Sequence, residues 1–497
     1  MKRLLQILVF TTAALAMAAT AAAQPAGALT AGASTAGATT AAATTGSLKM
    51  PPYKKTRLKN GLTLLLMERH TVPLIGFHVI IKAGSAGDPE RKEGAAFMAA
   101  SLLRKGTKTR NADQFASELD FIGGTFGAFA SADTTTVSAE FVSKDVARGL
   151  DLLSDALLNP AFPQDEFNKL LKQRIDALKA AKDQAEGVIG AYFNAYLFGR
   201  HPYARPTTGD ENSLAALTRD DAQKFYQAYY TPANTIIAVA GDFSTADMEK
   251  MVAQKFESWP ARPSPAISVP DPAPFTGKKL LLIDKPDSTQ TYFRIGNIGI
   301  ARTNPDRTYI QVVNTLYGGR FTSMLNSELR IKSGLTYGAN SIFDRRKVRG
   351  PFAIATFTRN ATTVQAIDKT LETLQRLHEK GVTEEELQSA KNYILGQFPP
   401  TIETSQQLAG LMADLEYYGL DDHEINDLTS KINAMTMADA QRIIRQYYPQ
   451  ENLVFVLIGK ASEIGDAVKK YAPQVETRSI NDPGFGSYAA AGSPGKN

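Results

Sequence analysis

The stretches DDAQKFYQAYYTPANTIIAVAGDF, Asp220–Phe243, and ADAQRIIRQYYPQENLVFVLIGKA, Ala438–Ala461, read as two copies of one unit. In each, apolar residues at helical spacing lead through a turn into a continuous apolar run that ends in glycine. Tyr230 falls against Tyr448, Asn234 against Asn452 and Gly241 against Gly459. An unbroken apolar run of this length, bounded by turn residues, predicts a buried strand.

The repeat extends upstream. NPAFPQDEFNKLLKQRIDALKAAKDQ from Asn159 and EKGVTEEELQSAKNYILGQ from Glu379 both place acidic residues in the first turn of a predicted helix, where they meet the positive end of its dipole. Near the start of each half stand strand-like runs, GLTLLLMERHTVPLIGFHVIIKAG and KLLLIDKPDSTQTYFRIGNIG. Strands and helices mix without regular βαβ alternation. The expected class is therefore α+β, with two homologous domains, each a largely antiparallel sheet covered by helices.

Boundaries follow from composition. Residues 1–23 combine Lys2 and Arg3, a short apolar run and Ala21-Ala22-Ala23, the pattern of a cleavable signal peptide. Residues 24–50 form an Ala/Thr-rich stretch with no charge from Gln24 to Ser47, expected to be a disordered tether. An N-terminal domain is expected over 51–257 and a proline-rich linker over 258–279, where six prolines remove backbone donors. A C-terminal domain follows over 280–472, and then a flexible tail over 473–497.

The chain has 497 residues and 0 cysteines, which excludes disulfides, thiolate nucleophiles and cysteine-ligated metal sites. A formal charge of +5, from 55 Lys and Arg against 50 Asp and Glu, with no basic stripe interleaved with aromatics, argues against nucleic acid as a partner. No stretch after the signal is long and apolar enough to span a membrane. Export to the periplasm, or secretion, is the expected destination.

The order NGLTLLLMERHTVPLIGFHVIIKAGSAGDPERKEGAAFMAASLLRKGT, NPAFPQDEFNKLL, GRHPYARPTTG, YYTPANTIIAVAGDF and, in the second half, YGGRFTSMLNSELRIKSGLTYG resembles the pitrilysin/insulinase zinc metallopeptidases, the family of the mitochondrial processing peptidases. The resemblance implies a processing-peptidase-like fold over most of 51–470. It also implies an inverted zinc motif, His-x-x-Glu-His, between Gly94 and Lys105-Gly106-Thr107. Phe97, Ala100 and Ser101 stand at its three functional positions. None can serve: Phe97 has no lone pair, Ala100 is no base, and Ser101 offers only a neutral hydroxyl.

The family's third ligand, a glutamate on a later helix, falls around Gln173 to Leu178, where Asp176 is the one carboxylate. His70, His78, His201, His378 and His423 show no pair at the spacing a helical metal site needs. The zinc site is read as lost, with Gly94–Leu103 kept as a packing helix whose one aromatic fills the vacated space. No metal or other cofactor is expected on this chain.

What the resemblance preserves lies in the second half. In SELRIKSGLTYG, Arg330 and Tyr337 have the spacing of an Arg/Tyr pair that in this family reaches the substrate and stabilises charge on the attacked carbonyl. A helix-terminal arginine and an ordinary core tyrosine would produce the same letters. A second candidate is the run from Gly123, where Phe126, Phe129 and Ala130 lie on a possible edge strand for pairing with an extended peptide.

The resulting expectation is a non-catalytic, substrate-binding subunit of an exported heteromeric zinc metallopeptidase. It would supply Arg330 and Tyr337 to a homologous partner that carries the zinc, and would act on unstructured peptides. The alternative is a catalytically inactive peptide-binding or scaffold protein of the cell envelope.

Overall fold

The structure is a computed structural model and describes residues 49–486; the signal-peptide and most of the tether expectations lie outside the described residues. Strands β1 (Lys54–Arg57), β2 (Thr63–Glu68), β3 (Leu74–Ile81), β4 (Thr125–Ala130), β5 (Thr135–Val142) and β6 (Thr235–Gly241) build one sheet. The second holds β7 (Lys278–Asp284), β8 (Gln290–Ile298), β9 (Ala339–Phe343), β10 (Pro351–Arg359), β11 (Leu453–Gly459) and β12 (Gln474–Ser479).

The sheet orders are β1-β2-β6-β3-β5-β4 and β12-β7-β11-β8-β10-β9. In the first, β2 and β6 run parallel and all other neighbours antiparallel; in the second, β11-β7 and β12-β7 are parallel. Five of the six positions correspond one to one, which is the internal repeat made physical. The outermost strand breaks it: β1 comes from the start of the described chain and β12 from its end.

The repeated unit behaves as its letters require. Thr218 and Thr436 each cap a helix, Arg219–Tyr229 and Met437–Tyr447, through a reciprocal box with Asp221 and Asp439. Each helix leads into β6 or β11, both buried along their whole length. Gly241 closes β6 because a Cβ there would lie 2.1 Å from the Leu74 carbonyl oxygen.

Five helices position the site: α1 (Ala95–Leu102), α2 (Gln164–Asp183), α3 (Ala185–Phe198), α4 (Glu384–Gln397) and α5 (Ser405–Tyr418). The last named in each half crosses to the other half. α3 lies over β8 and β11, with Val188, Ile189 and Tyr192 in one core with Leu281, Val454 and Val456. Reciprocally, α5 lies over β3 and β6, with Leu408, Ala409 and Met412 against Ile80, Ile236 and Ala238. The two halves thus exchange a helix.

The exchange repeats down to single residues. His78 pairs with Ala238, the fourth residue of β6, and Arg294 with Val456, the fourth of β11. A glycine of the exchanged helix stands over each: a Cβ on Gly410 would be 3.4 Å from His78 Nδ1, and one on Gly190 would be 3.1 Å from Arg294 Nη1. Burial pushes His78 down to about 4 and lowers Arg294 from its usual value.

Three boundary expectations change. The segment from 473 does not begin as a flexible tail, because β12 pairs with β7 over Gln474–Ser479. Short, polar and half-buried, this edge strand carries no apolar run to announce it. The proline-rich stretch gives way to β7 at Lys278 and is fastened along its length: Trp259 is buried, and the Phe275 N–H donates to Asn297 Oδ1 at 2.9 Å. Met50, placed in the tether, is buried and donates its N–H to Asn426.

The seam between β3 and α5 is tight enough to test. A Cβ on Gly76 would sit 2.8 Å from the backbone N and Cα of Gln406, so Gly76→Ala is expected to lower unfolding free energy by about 1–3 kcal/mol in urea denaturation. Gly396→Ala, in α4 with nothing within 4 Å, is expected to stabilise by roughly 0.5–1 kcal/mol.

Candidate functional site

Six of the eight residues of α1 are buried, and the two half-exposed ones are Phe97 and Ser101. They stand four apart and so share one face, where the family's motif places its two metal-binding positions. Phe97 packs against the core from this half-exposed face. Its ring faces Arg174 of α2, whose Cζ lies 6.0 Å from the ring centroid. Ala100 is 1% exposed and faces inward.

The frame around α1 survives for structural reasons. Asp88 caps the helix: its carboxylate accepts from Gly94 N–H and Ala96 N–H, both at 2.8 Å. Burial pushes this carboxyl up to about 8, against the pull of the two donors. After α1, Thr107 Oγ1 donates to Asp155 at 2.6 Å, Thr109 Oγ1 at 2.8 Å and Arg110 Nη1 at 2.8 Å. Arg110 also meets Glu118 and Asp151. Helix α1 is thus pinned at both ends by aspartates that touch no ligand position.

On α2, Asp176 is exposed and bound to Lys172 at 2.6 Å. The side chain of α2 that reaches α1's open face is Arg174, which sequence reading passed over while searching for carboxylates. Its Nε donates to the Thr208 carbonyl at 3.1 Å, and burial lowers it from its usual value.

Arg330 and Tyr337 lie apart from these groups in the second half. Arg330 belongs to a π-helical turn, Ser327–Lys332, an insertion of the kind that re-aims side chains. Its guanidinium sits 4.6 Å above the ring of exposed Phe321. Tyr337 is no core residue: it is 79% exposed and stacks on Phe357 at 6.5 Å, which stacks on Tyr292 at 5.1 Å. Neither the phenol nor the guanidinium has a hydrogen-bond partner among the described residues.

The expected edge strand is β4, which pairs only with β5. Phe126 and Ala130 are buried in the core, Phe126 edge-on to Phe115 at 5.5 Å, while Phe129 points the other way and is 54% exposed. Phe129 borders a cavity of about 390 Å³ with His78, Asp414, Tyr417 and Tyr418. The outward backbone of β4 meets one side chain among the described residues, Arg104 Nη1 on the Phe126 carbonyl at 3.4 Å. The corresponding edge strand of the second sheet, β9, is stoppered: Asn326 accepts from Ala339 N–H, and Asn314 donates to the Ser341 carbonyl, both at 2.9 Å.

Each histidine has a partner of its own. His70 sits between Asp242 at 2.7 Å and Glu68 at 3.0 Å, and both ring nitrogens donate only when the ring is protonated. His78 meets Ser138, His201 the Pro270 carbonyl, His378 the Tyr448 carbonyl and His423 Asp427.

The model described as Insulinase (Peptidase family M16) matches residues 64–211, and that described as Peptidase M16 inactive domain matches residues 216–394. The chain belongs to the insulinase (M16) peptidase family. The uncharacterized zinc protease YmxG of Bacillus subtilis is 25% identical over 400 residues, 80% of this chain and 96% of its own length. An uncharacterized zinc protease of Mycobacterium leprae is 28% identical over 346 residues, 69% of this chain and 77% of its own. The crystal structure of a peptidase M16 inactive domain from Pseudomonas fluorescens matches with a TM-score of 0.77 at 25% identity, covering 82% of this chain and 98% of that one.

The zinc that this family frame implies does not fit the residues present. A phenyl ring, a methyl group and a hydroxyl provide no adequate donor set, and the Arg174 guanidinium beside them repels a dication.

Asp155→Ala removes the acceptor of both threonine hydroxyls and one of three carboxylates around Arg110, and is expected to cost about 1–3 kcal/mol in chemical denaturation. Hydrogen bonds from Asp242, then Glu68, raise His70 above 6.5, so its nuclear magnetic resonance titration should show a midpoint above that value. The stabilisation is full below pH 6.5 and is lost as pH rises through the raised midpoint; Asp242→Asn should bring the midpoint down.

Proposed function

We propose that this chain is the non-catalytic, substrate-binding subunit of an exported heteromeric zinc metallopeptidase. The observation that carries the reading is the presentation of Tyr337, 79% exposed, and of Arg330 above exposed Phe321, with both polar groups unpartnered among the described residues. A tyrosine and an arginine kept in this way fit a site completed by another molecule.

Under this reading a homologous partner holds the metal and its chemistry. Arg330 binds the peptide backbone through its planar fork, and the Tyr337 phenol donates to the carbonyl oxygen on which charge develops. Unstructured peptides add to the open edge of β4, whose main-chain pairing is indifferent to sequence. The signal-like residues 1–23 support a destination in the periplasm or outside the cell.

A second reading, a peptide-binding or scaffold protein of the cell envelope, draws on the same open β4 edge, which needs no catalysis to hold an extended segment.

The test is hydrolysis of a quenched unstructured peptide by the mature chain alone, by a homologous subunit with an intact motif, and by their mixture. Activity is expected to appear or rise in the mixture, with Arg330→Ala or Tyr337→Phe lowering kcat/KM by about 100-fold. Zinc and activity in this chain alone would refute the reading. Silence in every mixture, with peptide binding retained, would leave the second one.

A further inference from the structure

The open face of α1 has changed the sign of its charge. Where the family frame calls for groups that hold a cation, Phe97 and Ser101 are joined by the Arg174 guanidinium. Arg174 is half-buried, and its fork is oriented by the Nε bond to Thr208. Its terminal nitrogens, Nη1 and Nη2, have no hydrogen-bond partner, and no carboxylate lies within salt-bridge distance among the described residues. Neither nitrogen is sealed from solvent. An oriented guanidinium with two donors open to solvent is free to take an anion.

The neighbours fit one kind of guest. The Phe97 ring offers an apolar shelf beneath the fork, and Ser101, one turn along the same face, adds a hydroxyl donor. Arg104, three residues beyond Ser101, carries a second guanidinium to the Phe126 carbonyl on the edge of β4. The one acid of α2 nearby, Asp176, is occupied by Lys172. Anions are therefore favoured beside the strand where an extended peptide would lie.

We propose that Phe97, Ser101 and Arg174 form a carboxylate-binding site, which takes the C-terminal carboxylate or an acidic side chain of a peptide lying along β4. The inference rests on the peptide-binding reading above and adds a substrate class to it. A carboxylate is the planar, two-oxygen acceptor that Nη1 and Nη2 can meet in a bidentate pair.

Fluorescence anisotropy on the full mature chain tests it, using one short unstructured peptide in three forms: free C-terminal acid, C-terminal amide, and amide with one internal glutamate. The acid is expected to bind wild type about tenfold more tightly than the amide, with the gap closed in Arg174→Gln and partly kept in Arg174→Lys. Tight binding of the glutamate form would assign the guest as a side chain; weak binding would assign it as a chain end.

Equal affinity for acid, glutamate and neutral forms would overturn the carboxylate site while leaving peptide binding intact. Should no form bind, the peptide reading falls, and acetate replaces the peptide as probe at constant ionic strength. A rise in the Tm of wild type, absent in Arg174→Gln, would then sustain the site, and equal shifts would overturn it.

Discussion

The exchange of α3 and α5 between the halves is the constraint from which the rest of the molecule follows. Each sheet has one face covered by helices of its own half and the other by a helix of its counterpart. Neither half can bury both faces alone, so the apolar surface removed from water holds the two together as one folding unit. The equivalence of His78 under Gly410 and Arg294 under Gly190 shows that the crossing is fixed at particular residues.

The candidate site inherits its rigidity from that arrangement and from two aspartates. Asp88 and Asp155 anchor the segment before and after α1, and neither contact involves the positions that changed. Phe97, Ala100 and Ser101 could replace a metal-binding set without disturbing the helix that carries them. A frame of glycine, lysine and threonine around a motif therefore reports how a helix is held, and says little about what the helix does.

Much of the fold was legible because the decisive strands, β6 and β11, are apolar from end to end and appear twice. The exchange was not legible, since the letters of α3 and α5 describe an apolar helix without saying which sheet it covers. β12 was missed for a related reason: the edge strand QVETRS has little to bury and owes its existence to an exposed flank of β7. At the site, what Phe97, Ala100 and Ser101 lack as ligands is a matter of residue chemistry, but the facing of Phe97 and the arrival of Arg174 depend on how α1 and α2 meet. Tyr337 illustrates the same limit, because a tyrosine beside an apolar strand is equally well spelled for core or for surface.

The exchanged α3 also sets an order for biosynthesis. The chain emerges from its N-terminus, so the apolar side of α3 is complete at Phe198 while the strand that covers it, β11, begins only at Leu453. Until α5 and then β11 arrive, a growing chain carries first a bare sheet face and throughout an incompletely covered greasy helix. Such an intermediate is a natural client for holding chaperones, and it must remain unfinished until synthesis is nearly over.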